Sequence, residues 1–294
     1  MGQKITMETL AAPVRGSATI SAKDFKEQGY VLLKNFFEKE EVERIRHEAK
    51  QIFAMQMVSH GIVPPTELRE EEFDNGMFKL FEADLQTFIN CGKHAQHLIS
   101  LHRLSLDPRI TDVLGKLGLE FPSISTRPVM YFNAERLAKK EVYWKLSTHQ
   151  DWRSMQGSLD AVIVWIPLVN IDKNLGALEV IPGSHKWGLL EADIVDGFGN
   201  LSQSVDETRL VPIEIEAGDA LFFSSLLVHR SGTNVTDSIR WSCHFRYNNL
   251  HEETFIQRGY PHPYIYQPQE DLITPGFPKD EQVEKVFTSS GDEN

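Results

Sequence analysis

The sequence predicts a mainly β fold with flanking helices, and three observations support this prediction. Short runs rich in β-branched and aromatic residues recur between about residues 121 and 247, and turn sequences separate them. The first 120 residues instead place apolar side chains at helical spacing. The chain has 294 residues, a length that one β domain with flanking helices can reach. Many short strands with regular turns favour a closed or sandwich-like barrel.

The N-terminal half is predicted to form a helical buttress. Residues 1–20 are expected to be flexible, and Ser21-Ala22-Lys23-Asp24 resembles a capping box that begins a short helix. A strand is predicted over 29–35, followed by an amphipathic helix over 39–57. The acidic segment 61–75 is predicted to be a solvated loop.

Helices are predicted again from 81 to 102, and then from Asp107-Pro108 to about Leu117. Asp107 supplies an N-cap and Pro108 suits the first turn of that last helix. The strands predicted after it are 125–132, 144–151, 161–169, 177–181, 209–215, 220–223 and 239–247. We expect a single domain over 21–294, with the buttress at about 21–120, the β core at about 121–250 and a C-terminal extension at 251–294.

Composition and charge restrict the classes of partner. The formal net charge of −12 disfavours a nucleic-acid-binding surface, which is normally basic. Cys91 and Cys243 are too few for a disulfide scaffold and are typical of a reducing compartment. No apolar run is long enough for a membrane span, and the first twenty residues lack the apolar core of a secretory signal. A cytoplasmic location is therefore expected.

Three residues with metal-binding side chains show an informative spacing. His149 and Asp151 flank Gln150, and His229 follows an apolar run eighty residues later. In a β-strand alternate side chains share a face, so His149 and Asp151 should project together while Gln150 points away. Two imidazoles and one carboxylate can occupy one face of an octahedral Fe(II) ion. The pattern predicts the ligand set of a non-heme iron oxygenase.

Arg240 extends this prediction to a co-substrate. It follows His229 by eleven residues, and Ser242 shares its face of a predicted strand. A guanidinium can bind the distal carboxylate of 2-oxoglutarate through two charge-assisted hydrogen bonds, to which a hydroxyl can add a third. The alternative is an exposed arginine on an edge strand.

The segment from about Ser147 to Asn248 resembles the core of the phytanoyl-CoA dioxygenase family of Fe(II)- and 2-oxoglutarate-dependent oxygenases. The matching runs are Thr148-His149-Gln150-Asp151, Asn174-Leu175-Gly176-Ala177-Leu178, Ile181-Pro182-Gly183-Ser184-His185, Gly218-Asp219, Phe222-Phe223, His229, Ser231-Gly232-Thr233-Asn234 and Arg240. The N-terminal run Gln28-Gly29-Tyr30-Val31-Leu32-Leu33 resembles the opening of the family as well.

This resemblance implies a double-stranded β-helix (jelly-roll, cupin-like) core, Fe(II), and 2-oxoglutarate and O₂ as co-substrates. It also implies oxidation of a small-molecule substrate with release of succinate and CO₂. Related halogenases lack the carboxylate ligand, so Asp151 favours hydroxylation, with desaturation, ring formation and demethylation left open. A non-oxygenase, metal-binding cupin-like barrel is the alternative function. Asn133 is a further candidate for contact with the 2-oxo acid, although the stretch 134–143 resembles an insertion.

Two other histidines need separate treatment. His185, in Pro182-Gly183-Ser184-His185, is the main competitor as a metal ligand, although its family context marks it as a turn residue. His244 shares strand parity with Arg240, so it is expected to point into the barrel as a structural or supporting residue.

The substrate is the least determined part of the prediction. Residues 186–208 have the length of a functional lid, and a tolerated surface insertion is an equal alternative. Lys145, Arg153 and Arg230 flank the predicted ligands in sequence. Strand parity would place Lys145 and Arg153 on the metal-facing side, and such a cationic rim would suit an anionic substrate. Pairing of Lys145, Arg153 or both with nearby carboxylates is the alternative.

Overall fold

The computed structural model describes residues 22–137, 146–195, 198–262 and 279–282, and the chain divides after His262 into two compact units. In the second unit, residues 280–282 are helical. The fold described below is that of the first unit.

Six helices precede most of the sheet. They are α1 (Ala22–Gln28), α2 (Lys39–Ser59), α3 (Glu70–Ala83), α4 (Leu85–Ala95), α5 (Ile99–Ser105) and α6 (Pro108–Leu117). The side chain of Asp107 caps α6 by accepting from the Arg109 N–H, and Gly118 ends this helix with φ 110°. Two short helices, α7 (Trp152–Met155) and α8 (Glu253–Gln257), follow later in the chain. None of the described helices is both long and apolar enough to cross a bilayer.

The larger sheet has five antiparallel strands in the order β1, β8, β3, β10, β2. Their bounds are β1 (Tyr30–Leu33), β2 (Pro122–Asn133), β3 (Val162–Pro167), β8 (Ala220–Ser224) and β10 (Arg240–Asn249). All ten residues of β10 are buried, because helices cover one face of this sheet and a second sheet covers the other. Trp241, Cys243 and Phe245 of β10 pack with the helices.

The smaller sheet contains β7 (Val211–Ile213), β4 (Leu178–Val180) and β9 (His229–Arg230), in that order. A hairpin of β5 (Ala192–Val195) and β6 (Phe198–Leu201) lies beside it. His149 connects the two, because it forms single antiparallel bridges with both Asn200 and His229. Side chains of both sheets fill the space between them, including Ile163, Leu178 and Phe223. Two facing antiparallel sheets of this kind are the predicted jelly-roll core.

Three local predictions are wrong. Helix α3 begins at Glu70, inside the segment predicted to be a loop, and its first turn holds Glu70, Glu71 and Glu72. These carboxylates face the positive end of the helix dipole, which the charge pattern alone did not reveal. The segment 144–151 is not a continuous strand, since within its described residues, 146–151, only His149 forms a β-bridge. Arg209, the first residue of the strand predicted over 209–215, instead ends a turn of 3₁₀ helix over Glu207–Arg209, and β7 begins only at Val211.

Candidate metal centre

The structure brings His149, Asp151 and His229 together between the two sheets. One ligand atom from each residue lies within 4.8 Å of the others, and all three residues are buried. One ion can therefore contact all three. No other group of three or more metal-binding side chains of this kind occurs within the described residues.

Backbone carbonyls fix the tautomers of both imidazoles. The Nδ1 atom of His149 lies 2.7 Å from the Ser147 carbonyl oxygen, and the Nδ1 atom of His229 lies 2.9 Å from that of Leu227. A carbonyl oxygen can only accept, so each Nδ1 donates and each Nε2 keeps its lone pair. Hydrogen bonding of the second ring nitrogen commonly orients histidine ligands in this way.

A turn, rather than a strand, makes Asp151 converge with His149. His149 exchanges backbone hydrogen bonds with His229, but Asp151 has helical angles of φ −65° and ψ −24° and directly precedes α7. The Trp152 N–H then bonds to the Ser225 carbonyl at 2.9 Å, which fixes the start of that helix. The predicted strand parity is therefore wrong at Asp151, although its side chain does reach the site.

Burial and a neighbouring cation set the protonation states of the triad. Burial lowers the pKa of His229 to about 4 and also lowers the pKa of His149, so both imidazoles are neutral near neutral pH. Burial alone would raise the pKa of Asp151, but the Arg246 guanidinium and the neighbouring imidazoles of His229, His149 and His244 together outweigh it and hold that pKa well below its ordinary value. The centre thus presents two neutral imidazoles and one carboxylate, a donor set that suits Fe(II).

Arg240 is a buried cation, not an arginine on a surface edge. It is 3% exposed and lies at the start of β10, between β3 and β2 in the larger sheet. One Nη atom donates to the Gly176 carbonyl, and Nε has no partner among the described residues. Burial lowers the Arg240 pKa to about 10, so the side chain stays protonated near neutral pH. Such a charge is costly to bury without an anion, which supports a carboxylate-binding role.

Two close turns hold the carbonyl that Arg240 contacts. Gly176 has φ 84°, and a Cβ atom there would lie 2.9 Å from both the Asn234 nitrogen and the Gly232 oxygen. A Cβ atom on Gly232 would lie 2.2 Å from the Ala177 oxygen. Only glycine fits at both positions, so the runs around Gly176 and Gly232 that carry the family resemblance serve to pack these turns against each other.

Ser242 and Asn133 are both near Arg240, but neither lines the cavity at the triad. Ser242 is fully buried on the face of β10 shared with Arg240, and its Oγ has no hydrogen-bond partner in the described part of the chain. Asn133 ends β2 directly opposite Arg240, and its backbone carbonyl accepts from Asn234.

The cavity beside the triad has a volume of about 30 Å³. Arg240, Ser231 and Tyr131 line it together with Trp165, His244 and Arg246, in addition to Leu146, Leu178, Phe223 and the triad itself. The Nε2 atom of His244 is buried and has no hydrogen-bond partner in the described ranges. A polar interior with unsatisfied donors indicates a place built to bind a polar ligand.

Among the lining residues with polar side-chain atoms, sequence reasoning missed four: Tyr131, Trp165, Ser231 and Arg246. Ser231 could have been found, because it lies two residues after His229 in an extended segment. Arg246 could have been found by extending the parity of Arg240 along β10. Tyr131 and Trp165 required the sheet order, since they lie on strands that pair with β10 on its two sides.

His185 is not close to the centre. Its Nε2 atom lies 3.2 Å from the Lys26 carbonyl, and its ring packs where a Cβ atom of Gly29 would stand. The residue thus connects the turn between β4 and β5 to the last turn of α1 and the glycine that follows it. This contact supports the turn role that its sequence context indicates.

The proposed cationic rim is not formed by the described residues. Arg230 pairs with Glu179 at 2.5 Å and with Glu207 at 2.7 Å. Arg153 lies on α7, donates to the Leu190 carbonyl and does not line the cavity. Lys145 lies outside the described residues. The described contact of Arg153 is with a backbone carbonyl, so it does not show the pairing with a carboxylate that was the alternative for Lys145 and Arg153.

Residues 186–208 attach directly to the metal-ligand segment. Besides the bridge between Asn200 and His149, the Leu201 N–H donates to the Thr148 carbonyl at 3.0 Å. Gln150 points away from the triad, as predicted. Its side chain donates to the carbonyls of Gly188 and Leu226 and accepts from the Leu190 N–H. The segment is thus held by hydrogen bonds on both sides of His149.

A larger surface depression of about 770 Å³ lies elsewhere, beside Lys34, Asn170 and Glu214. The triad does not line it. We place the functional centre at the smaller cavity, because buried metal-binding side chains and unsatisfied polar atoms converge only there among the described residues.

Comparison with known families gives one match that covers most of the chain. The model of the family described as "Phytanoyl-CoA dioxygenase (PhyH)" matches residues 25–242. The peroxisomal phytanoyl-CoA dioxygenase of Mus musculus is 28% identical over 239 residues, which cover 76% of this chain and 66% of that protein. The enzyme of that name from Homo sapiens is 26% identical over 240 residues, which cover 78% of this chain and 68% of that protein. The chain spans about two thirds of the length of these relatives.

Solved structures show the same fold at low sequence identity. The epimerase SnoN, in complex with Fe3+, alpha ketoglutarate and nogalamycin RO, aligns with a TM-score of 0.53 and 20% identity over 78% of this chain and 82% of that one. EctD from S. alaskensis, with 2-oxoglutarate and 5-hydroxyectoine, aligns with a TM-score of 0.50 and 18% identity over 84% and 80%. These likenesses support the double-stranded β-helix.

Proposed function

The chain belongs to the phytanoyl-CoA dioxygenase family of Fe(II)- and 2-oxoglutarate-dependent oxygenases, and from that premise we propose that it hydroxylates an unactivated C–H bond of a small metabolite, with release of succinate and CO₂. Its cofactor is Fe(II), and 2-oxoglutarate and O₂ are its co-substrates. The enzyme class follows from the family, while the hydroxylation and its substrate are the proposal.

In this proposal His149, Asp151 and His229 hold the iron. The two imidazoles offer Nε2 lone pairs because their Nδ1 atoms are already committed to carbonyls. Bound iron supplies the oxidising chemistry, driven by decarboxylation of 2-oxoglutarate. The protein orients the reactants and excludes water.

Arg240 binds the distal carboxylate of 2-oxoglutarate. Its charge is buried, and its Nε lacks a partner within the described ranges. Ser242 and Ser231 are the candidate hydroxyl donors beside it. Ser231 lines the cavity, while Ser242 shares the β10 face of Arg240. We retain Asn133 as a candidate that supports this end of the site through its register opposite Arg240.

One observation carries the proposal: a buried His-Asp-His triad shares a single cavity with a buried arginine that forms no salt bridge with any carboxylate of the described residues. A barrel that only bound a metal would have no need for that arginine. The intact Asp151 favours hydroxylation over halogenation, because it occupies the position that a halide would take.

The direct test is turnover of 2-oxoglutarate by the full chain with Fe(II) and O₂. Succinate is measured for a panel of anionic and neutral small molecules, and each product is examined by mass spectrometry for the gain of one oxygen atom. Succinate release with substrate oxygenation supports the proposal. Iron binding without any succinate release would instead favour the non-oxygenase barrel.

Asp151→Ala is the inactive reference for this assay. We expect it to lose iron retention and succinate release together, because it removes the only anionic ligand of the triad. Asp112→Ala is the matched control, since Asp112 pairs with Lys116 on the surface of α6, and it should retain both. Full activity of Asp151→Ala would remove that residue from the centre.

The product also decides between reaction types. Solved structures with this fold include an epimerase, SnoN, and a non-heme monooxygenase, ThoJ, so the fold alone does not fix the outcome. A product lacking two hydrogen atoms would indicate desaturation or ring formation, and this result would contradict hydroxylation.

We propose a reducing compartment such as the cytoplasm as the location. Both cysteines, Cys91 and Cys243, are buried and unpaired. The mammalian relatives carry names that place them in the peroxisome. Fractionation of the host cell with an antibody to the chain tests this point.

A further inference from the structure

We propose that Arg246 is a positioning residue that restricts Asp151 to one metal-facing oxygen, and so keeps a coordination position available beside the chelated co-substrate. This inference rests on the proposed function of the same centre. It concerns a residue that the sequence pattern did not single out.

The contact between the two side chains is direct and buried. Nη2 of Arg246 donates to Oδ1 of Asp151 at 2.8 Å, and the side chains of Arg246 and Asp151 are 9% and 7% exposed. The other oxygen, Oδ2, lies 3.7 Å from Nε2 of His229. One carboxylate oxygen therefore faces the guanidinium, and the other faces the metal-binding nitrogens.

Strand β10 aims Arg246 at this position. Arg246 pairs with Ile163 of β3 on one side and Thr126 of β2 on the other, and the register with β2 shifts on both sides of Arg246. Irregularities of this kind re-aim a side chain next to a functional site. The same face of β10 carries Arg240 at its other end, so one strand serves both ends of the cavity.

Simple electrostatics argues against a role in metal retention alone. A guanidinium in hydrogen-bond contact with a ligand carboxylate lies within a few ångströms of the bound cation and repels it. A site selected only to hold iron tightly would be better served by a neutral donor. The guanidinium must therefore have another role. Its hydrogen bond to Oδ1 fixes the orientation of the Asp151 carboxylate.

The number of coordination positions shows why the orientation of the Asp151 carboxylate matters. An octahedral ion held by two imidazoles and one carboxylate oxygen keeps three positions open. A chelating 2-oxo acid occupies two of these positions and leaves one open. If Asp151 bound through both oxygens, only two positions would remain, and the chelate would fill them. Arg246 prevents this by holding Oδ1 away from the ion.

The test counts the exchangeable waters on Mn(II) bound to the full chain by water-proton relaxation, without 2-oxoglutarate and without turnover. We expect three waters for the unchanged protein and two for Arg246→Met, because the released carboxylate then binds through both oxygens. Arg246→Lys keeps a cationic donor and should restore three. Arg230→Met is the matched control, since Arg230 pairs with Glu179 and Glu207 instead of Asp151, and it should show three.

Three waters on Arg246→Met would overturn the inference while leaving the metal centre intact. Loss of Mn(II) binding in both Arg246→Met and Arg246→Lys, with normal melting curves, would also overturn it, because the contact would then be needed for binding itself. Failure of the unchanged protein to bind Mn(II) would contradict the proposed function, and the inference with it.

Discussion

Arg240 is the residue on which co-substrate affinity should depend most. Its guanidinium is buried, donates to the Gly176 carbonyl and faces a cavity that contains the metal triad. A buried cation without an anion is unfavourable, and 2-oxoglutarate would supply the missing charge. In the proposed function this residue would link protein stability and co-substrate binding, because the ligand would remove the electrostatic cost of the buried charge.

We predict that Arg240→Ala raises the Kd for 2-oxoglutarate at least about 30-fold, since loss of a charge-assisted contact to a buried carboxylate costs on the order of 2 to 5 kcal/mol. Titration calorimetry under nitrogen with the Mn(II)-loaded protein measures this effect. The Kd of Arg240→Lys should lie between that of the unchanged protein and that of Arg240→Ala, because lysine keeps the charge but not the paired donors. Mn(II) affinity should change much less, and an unchanged Kd for 2-oxoglutarate would remove Arg240 from this role.

At the scale of elements, α3 and β10 are joined by one buried carboxylate. Asp74 of α3 is 8% exposed, and its Oδ2 accepts from the Ile239 N–H at 3.1 Å, directly before Arg240. Burial is the main cause that raises the Asp74 pKa to about 6, with Glu70 adding to it and Arg46 and Lys50 opposing it. The helical buttress thus contacts the co-substrate end of β10 through a group that titrates near pH 6.

The sign of its effect on stability follows from the raised pKa. The folded state binds this proton more tightly than the unfolded state, so the stability contribution of Asp74 is complete below about pH 4 and is lost as the pH rises through about 6. The substitution Asp74→Asn removes the titrating carboxyl group, so the variant does not lose this stability as the pH rises. We expect the variant to be more stable than the unchanged protein at pH 8, by at most about 3 kcal/mol, with the difference vanishing near pH 4.

Urea unfolding at several pH values measures this difference. Asp112→Asn on the surface of α6 is the control, and it should show no comparable dependence on pH. Equal free energies of unfolding for Asp74→Asn and the unchanged protein at pH 8 would contradict the prediction.

The elements also show where sequence reasoning succeeds. The helix predicted over 39–57 is α2, which buries Val42, Ile45, Ala49, Phe53 and Met57 at helical spacing, and the strand predicted over 239–247 forms most of β10. The pattern failed at Asp151, because a helical turn can bring two side chains together as effectively as a pleat. It failed again at Glu70, because a run of acidic residues is equally suited to solvent and to the first turn of a helix.

At the scale of the whole molecule, the sequence predicted that His149, Asp151 and His229 lie together and that Arg240 lies near them, whereas Tyr131 and Trp165 of the cavity wall could not be predicted. The triad has distinctive chemistry and spacing, whereas Tyr131 and Trp165 belong to strands that become neighbours of β10 only in the folded sheet. The ion pairs of Arg230 likewise could not be predicted, because its partners, Glu179 and Glu207, are distant in sequence. Long-range pairing determines these positions, and local patterns do not encode it.

We predict that a chain ending at His262 folds and binds Mn(II). The buried apolar residues of the described chain lie between Val31 and Phe255, within the first compact unit. A cooperative melting curve and Mn(II) affinity close to those of the full chain are the expected results. A non-cooperative transition would show that the C-terminal extension belongs to the same folding unit, as the expectation of a single domain over 21–294 requires.

Strand β10 carries two alternating sets of residues with opposite requirements. Arg240, Ser242, His244 and Arg246 face the space between the sheets, while Trp241, Cys243, Phe245 and Tyr247 pack with the helices. Insertion of a single residue before Arg240 that shifted the pairing by one position would exchange these sets, placing charges against the apolar buttress and aromatic rings in the cavity. The spacing between His229 and β10 is therefore constrained by folding as well as by the site that the two elements share.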